Sequence, residues 1–208
     1  MPKTASTAVK RGLIRTFDLE EQPENLWSHR VSNEFPALAR LWPAHMKELD
    51  AQIVTVAEDL SKILRLHVLP TKNNLSILET VPKVVLLRDP SEVVYSLYRS
   101  VQAGLGPKPM DFKYCGHGPD AWFRRAESLG ILEDLQRFRD KWIESSATIV
   151  EHEELTNQPD RVLSSILNTY GLPNRTIELR FENSTRTNSR ILQVTKAKMS
   201  RIIQCIRS

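Results

Sequence analysis

The run Lys83-Val84-Val85-Leu86-Leu87, followed at once by Arg88-Asp89-Pro90, constrains the fold more than any other feature of the chain. Such a short, apolar, β-rich run suits a strand buried on both faces of a parallel sheet. Asp89 is a cap residue, and Pro90 stands at a first helical position. Val93, Val94, Leu97 and Val101 then repeat with helical spacing, so the segment reads as strand, tight turn, helix. A second unit looks similar. Ala147 to Val150 reads as a strand and Glu151 to Asn157 as a polar turn. Leu163, Ile166, Leu167 and Tyr170 then mark a helix face that Gly171 and Pro173 end. Between the two units, residues 122–143 read as helical with an interruption near Gly130. Leu64 to Leu69 is a further candidate strand, residues 35–62 read as mostly helical, and residues 190–206 as a basic amphipathic helix. Strands alternating with helices predict an α/β fold, a parallel β-sheet flanked by helices on both faces. In such sheets ligands sit beyond the carboxyl ends of the strands.

Composition narrows the function classes. The 208 residues fit one domain with a real core. A content of 40% hydrophobic and 26% charged residues is that of a soluble globular chain. No stretch approaches the roughly 18 apolar residues of a spanning helix. Lys3, Lys10 and Arg11 frame no apolar core of a signal peptide. The expected location is therefore cytoplasmic, or the Golgi if an anchor precedes this segment. The net charge of +4 comes with no Lys/Arg run longer than two. A pocket for a polyanionic nucleotide, or an acidic acceptor, explains the excess better than nucleic-acid binding. Cys115 and Cys205 form no CxxC or metal-ligand spacing, so disulfide, buried thiol and reactive thiol all stay open. Sequons begin at Asn74, Asn174 and Asn183 and matter only in a secretory compartment.

Three segments can carry chemistry. Pro2-Lys3-Thr4-Ala5-Ser6-Thr7-Ala8 is a small-residue loop opening into a helix. It offers backbone N–H groups and a cation to a phosphate. Its lysine precedes the small residues, unlike the GxxxxGK[ST] loop. Taken alone it also fits a frayed terminus. Arg88 ends the buried strand and Ser96 lies two turns into the next helix. A guanidinium fork and a hydroxyl there can grip a terminal phosphate, or be a surface pair and a small core-facing side chain. His67, in Arg65-Leu66-His67-Val68-Leu69-Pro70, can take a proton from an attacking hydroxyl, or be purely structural. His29, His45, His117 and His152 have no comparable context.

Together these segments resemble the sulfotransferase family. Lys3-Thr4-Ala5-Ser6-Thr7 is similar to its 5′-phosphosulfate loop. Leu87-Arg88-Asp89-Pro90 through Ser96 resembles its 3′-phosphate motif, with the same arginine-to-serine spacing. His67-Val68-Leu69-Pro70 resembles the segment holding the catalytic histidine of the cytosolic branch. Glu151-His152-Glu153-Glu154-Leu155 and Tyr170-Gly171-Leu172-Pro173 resemble the family's Tyr-Glu-Asp-Leu and Leu-Gly-Leu-Pro region. The resemblance spans residues 2 to about 175. It implies a single domain over residues 1–208 that uses 3′-phosphoadenosine 5′-phosphosulfate (PAPS) as co-substrate, with no metal. The acceptor would be a small molecule or carbohydrate bearing a hydroxyl or amine. Lys3, Thr4, Ala5, Ser6 and Thr7 would hold the phosphosulfate, Arg88 and Ser96 the 3′-phosphate, and Lys3 and His67 would be catalytic. Glu20 and Glu34 are the next candidates for the base.

The chain departs from the family pattern in several places. Ala5 stands where glycine is usual, so backbone approaches the phosphate less freely. The adenine-stacking tryptophan is absent, with Ala8 in that neighbourhood. His152 replaces a tyrosine near the adenine, and Arg186 and Arg190 are the candidates for the Arg-Lys-Gly loop. A loop of this type follows a central parallel strand, yet only Met1 precedes Pro2. The expectation is a domain truncated at the N-terminus and lacking its first strand. It should be less stable than a form extended by about six apolar residues, the usual strand length. Two rival readings are a P-loop-type kinase and a degenerate, non-catalytic nucleotide-binding protein. The kinase also needs a Mg²⁺-binding carboxylate at a strand end and Walker spacing, neither of which is visible.

Overall fold

The computed structural model describes residues 6–21, 26–59, 61–104, 109–113, 115, 118–180 and 191–192. Lys3, Thr4, Ala5, Arg186 and Cys205 lie outside them. In chain order the first half forms α1 (Ser6–Phe17), β1 (Glu20–Glu21), β2 (Trp27–Val31), α2 (Pro36–Ala39), a 3₁₀ turn (Pro43–His45), β3 (Lys47–Leu49), α3 (Gln52–Ala57), β4 (Lys62–Ile63) and α4 (Lys72–Ile77). The second half forms β5 (Val84–Leu87), α5 (Pro90–Gln102), a 3₁₀ turn (Met110–Phe112), α6 (Pro119–Ser128), α7 (Ile131–Ile143), β6 (Thr148–Glu151), α8 (His152–Asn157), α9 (Pro159–Thr169), β7 (Leu179–Arg180) and β8 (Ile191–Leu192).

The expected strand–turn–helix unit is present. β5 pairs in parallel with β6, Val84 opposite Thr148 through Leu87 opposite Glu151. Asp89 caps α5 by accepting the amides of Ser91 (2.8 Å) and Glu92 (3.3 Å), and Pro90 follows at the first helical position. Helices cover both faces of this pair, because side chains alternate along a strand. Val85, Leu87 and Ile149 pack into one core with α2, α5, α6 and α7. Val84, Leu86 and Val150 pack into a second with α1, α8 and α9. Gly130, at φ 71°, separates α6 from α7 in the left-handed conformation that glycine tolerates best. Gly12 lets α1 lie against the segment leading into β7, since a Cβ there would stand 2.7 Å from Ile177 Cγ2.

Other expectations are corrected. Instead of one sheet, the described strands form four two-stranded pieces: β1–β4 and β5–β6 parallel, β2–β3 and β7–β8 antiparallel. Leu64 to Leu69 is extended, but pairing stops at Ile63 because no strand lies alongside it among the described residues. Residues 35–62 are not mostly helical: Pro36 and Pro43 start separate short turns, and Lys47–Leu49 pairs with β2. α2 starts where it does because Asp134 of α7, 5% exposed, accepts the Ala37 (2.8 Å) and Leu38 (3.3 Å) amides from 97 and 96 residues away. The polar turn over 151–157 contains a short helix, α8. The basic helix expected from residue 190 is replaced at Ile191–Leu192 by a strand. The rest of that segment lies outside the described residues.

Asn74 is fully buried in α4. Its side chain accepts the Leu49 amide (2.8 Å) and donates to the Leu69 carbonyl (2.9 Å), so in the folded chain this sequon is a structural amide. Trp122 and Phe112 are core residues, and Trp27 and Trp42 pack half-buried against the same core. Cys115 is a free, half-buried thiol. Among the described residues no helix is long and apolar enough to cross a membrane.

Candidate functional site

The carboxyl ends of β5 and β6 bring a set of charged side chains together. Arg88 leaves β5 with its side chain 13% exposed and donates from Nη2 to Glu92 Oε2 at 3.0 Å. Arg139 reaches across from α7 and grips Glu151, the last residue of β6, through two bonds of 2.8 and 2.6 Å. Such a two-pronged fork fixes geometry as well as charge. Asp89 lies beside this pair. Hydrogen bonds from Ser91 and the cap amides, together with the Arg139 charge, hold its carboxyl below the usual range against the effect of burial. Ser96 is half-buried on α5, six residues beyond Pro90. Arg88 and Ser96 therefore stand where the sequence places them, at a strand end and on the helix it feeds. A phosphate approaching Arg88 would compete with Glu92 for the guanidinium.

His152 opens α8 directly after β6. Burial pushes its imidazole pKa down, the Arg88 charge adds to that, and Glu92 opposes both. The folded state therefore holds this proton less firmly than the unfolded chain, whose reference is 6.5. Stability then rises with pH wherever the unfolded state binds more protons. His152's contribution is present above about pH 6.5 and is lost as pH falls through that value toward the lower folded one. His152→Asn should flatten the acid side of the stability profile, measured by urea unfolding at pH 7.5, 6.5 and 5.5. An unchanged slope would show that Arg88 and burial exert no net effect on this ring.

A second group gathers along a cavity of about 360 Å³ between β4 and its extension, β5, and helix α1. Ser6 and His67, distant in sequence, both line it. Thr7 follows Ser6 in the first turn of α1, half-buried, and no acidic residue occupies that turn. Its backbone N–H groups carry the positive end of the helix dipole. His67 stacks edge-on against His45, with ring centres 4.8 Å apart, and its Nε2 lies 3.1 Å from Arg65 Nη1. A guanidinium only donates, so Nε2 is the acceptor, and the neutral ring carries its proton on Nδ1. To accept a substrate proton through Nε2, His67 must exchange Arg65 for that substrate.

Of the two carboxylates named as alternative bases, Glu34 is the poorer fit. Burial pushes its pKa up, but bonds from Lys141 (2.6 Å) and the Lys72 amide (3.0 Å) outweigh this and hold it low. Glu20 is exposed on β1 opposite Lys62. The Arg139–Glu151 fork escaped the sequence reading, because a helix-to-strand pair 12 residues apart leaves no periodic signal. Among the described residues, no group of three or more His, Cys, Asp or Glu side chains could hold a metal ion. Comparison of the chain with protein-family models, curated proteins and solved structures returns no match.

Proposed function

We propose that this protein is a PAPS-dependent sulfotransferase with a sulfotransferase-type, P-loop-like α/β architecture. The observation that carries the reading is Arg88. It sits at the carboxyl end of a doubly covered parallel strand, directly before an Asp-capped helix that bears Ser96. Ligands of such sheets collect at that edge, and a guanidinium with a hydroxyl suits the 3′-phosphate that separates PAPS from ATP. Ser6 and Thr7, at the start of α1, support a 5′-phosphosulfate subsite. His152, next to Arg88, is in reach of the nucleotide's neighbourhood.

In the proposed reaction the acceptor oxygen or nitrogen attacks sulfur in line with the bridging phosphate oxygen. The new bond to sulfur forms as the sulfur–bridging-oxygen bond breaks, and that electron pair stays on the phosphate of the product, 3′-phosphoadenosine 5′-phosphate (PAP). His67 takes the acceptor's proton, and Lys3 neutralises the charge growing on the bridging oxygen. Positioning and preorganised charge supply most of the acceleration.

The test is PAP release from PAPS with a panel of phenol and amine acceptors. Lys3→Ala and His67→Ala should each lower turnover by roughly 10²-fold or more, as for lost charge stabilisation or a lost base. PAP affinity should change less, since PAP carries no sulfuryl group. Full turnover in His67→Ala would remove it as the base, and no release from wild-type protein with any acceptor would remove the enzymatic reading.

A further inference from the structure

On α5, Glu92, Ser96 and Arg99 are spaced i, i+4 and i+7, so they share one face of the helix. That helix follows directly on Arg88, at the carboxyl end of β5. One carboxylate oxygen meets both arginines. Glu92 Oε2 accepts from Arg88 Nη2 at 3.0 Å and lies 3.7 Å from Arg99 Nη2. The longer distance is a charge contact and not a hydrogen bond.

The three side chains differ in how deeply they sit. Arg88 is 13% exposed, whereas Glu92 and Arg99 are 48% and 62% exposed. Arg88 is therefore the anchor, and the two exposed side chains can re-pair through water at small cost. Besides its burial, the His152 ring feels the charges of both Arg88 and Glu92. The ion pair thus stands where β5 and β6 both end, at the edge where a ligand of this sheet collects.

A carboxylate and a phosphate are alternative partners for one guanidinium, because both present oxygens to the same donors. We infer that Glu92 is a built-in competitor: it holds Arg88 in the ligand-free chain and passes to Arg99 when a phosphate takes its place. The shared oxygen makes the exchange a short movement, and each charge keeps a partner throughout. Arg99 then acts on affinity through Glu92 and does not touch the phosphate itself. The exchange sets how tightly the phosphate is held. In a transferase that must release its product at every turnover, a carboxylate within reach of Arg88 replaces the departing phosphate. An acidic residue in the first turn also suits the helix dipole, but that role alone predicts an effect on stability and none on affinity. The inference rests on the part of the proposed function that puts a phosphate on Arg88, and not on PAPS as its source.

The test is an NMR titration of the whole chain that follows the Ser96 amide, with inorganic phosphate, PAP and 5′-AMP at constant ionic strength. It is run as a double-mutant cycle of Glu92→Gln and Arg99→Gln. Glu92→Gln keeps the shape and removes the competing charge. It should tighten phosphate and PAP by about three- to fivefold, the scale of an exposed pair, and change 5′-AMP by less than about twofold. Arg99→Gln should weaken phosphate and PAP by about two- to threefold in the wild-type background, and have no such effect once Glu92 is glutamine. Equal weakening by Arg99→Gln in both backgrounds would overturn the inference, because Arg99 would then attract the anion directly. Unchanged affinity in Glu92→Gln would overturn it too, as would a Ser96 amide that answers neither phosphate nor PAP in any variant. PAP and 5′-AMP binding alike in the wild-type chain, with the cycle intact for phosphate, would remove the PAPS reading and leave the Glu92 exchange standing.

Discussion

Replacing Arg88 by alanine should weaken PAP binding by on the order of 2–5 kcal/mol, as when one partner of a buried, hydrogen-bonded charge pair is truncated. The side chain is only 13% exposed at the end of β5, so water screens it little. Its loss would also leave the 3′-phosphate facing Glu92, the carboxylate that Arg88 pairs with in the native arrangement. Binding of 5′-AMP, which lacks the 3′-phosphate, should change far less in the same variant. Isothermal calorimetry with both nucleotides checks this. A parallel loss for the two would assign Arg88 to general charge attraction and not to the 3′-phosphate.

The second large effect is on stability. Trp122→Ala should cost about 3–5 kcal/mol, the range for truncating a buried aromatic core residue. Trp122 is 1% exposed and lies between Phe112, with ring centres 4.7 Å apart, and Tyr98, edge-on at 5.5 Å. It therefore ties α6 to α5 and to the 3₁₀ turn before it. No single neighbour can close the cavity left behind, since the ring contacts come from two separate elements. With total stabilities of about 5–15 kcal/mol typical of domains, the variant should unfold at markedly lower urea concentration. Trp122→Phe should recover much of the loss. A cost under about 1 kcal/mol for Trp122→Ala would mean that this cluster is not a packed core.

How far the sequence could be read depended on how local the deciding interactions are. The β5–α5 unit was legible because strand run, cap, proline and periodic face all fall within twenty residues, and each signal agrees with the next. Gly130 was legible for the same reason. The run from Leu64 to Leu69 was not, since whether an extended segment is a strand is decided by a ladder partner elsewhere in the chain. α2 depends on Asp134, nearly a hundred residues later, and so left no signal in its own neighbourhood. Arg88 and Ser96 could be located at a strand end and on the helix after it because they ride on that local unit. Arg139 was missed because it reaches Glu151 only through the packing of α7 on the sheet. Lys3, Thr4, Ala5 and Arg186 fall outside the described residues, so their roles rest on resemblance alone.

The most direct measurement of the central claim is a calorimetric titration of the wild-type chain with PAP, 5′-AMP and ATP under identical salt. A 3′-phosphate subsite at Arg88 predicts that PAP binds at least about 30-fold more tightly than 5′-AMP, the lower end of the range expected for Arg88→Ala. It also predicts that ATP, with its added phosphates at the wrong end, gains nothing comparable. Equal affinity for PAP and 5′-AMP, or preference for ATP, would contradict the assignment of this protein to PAPS chemistry.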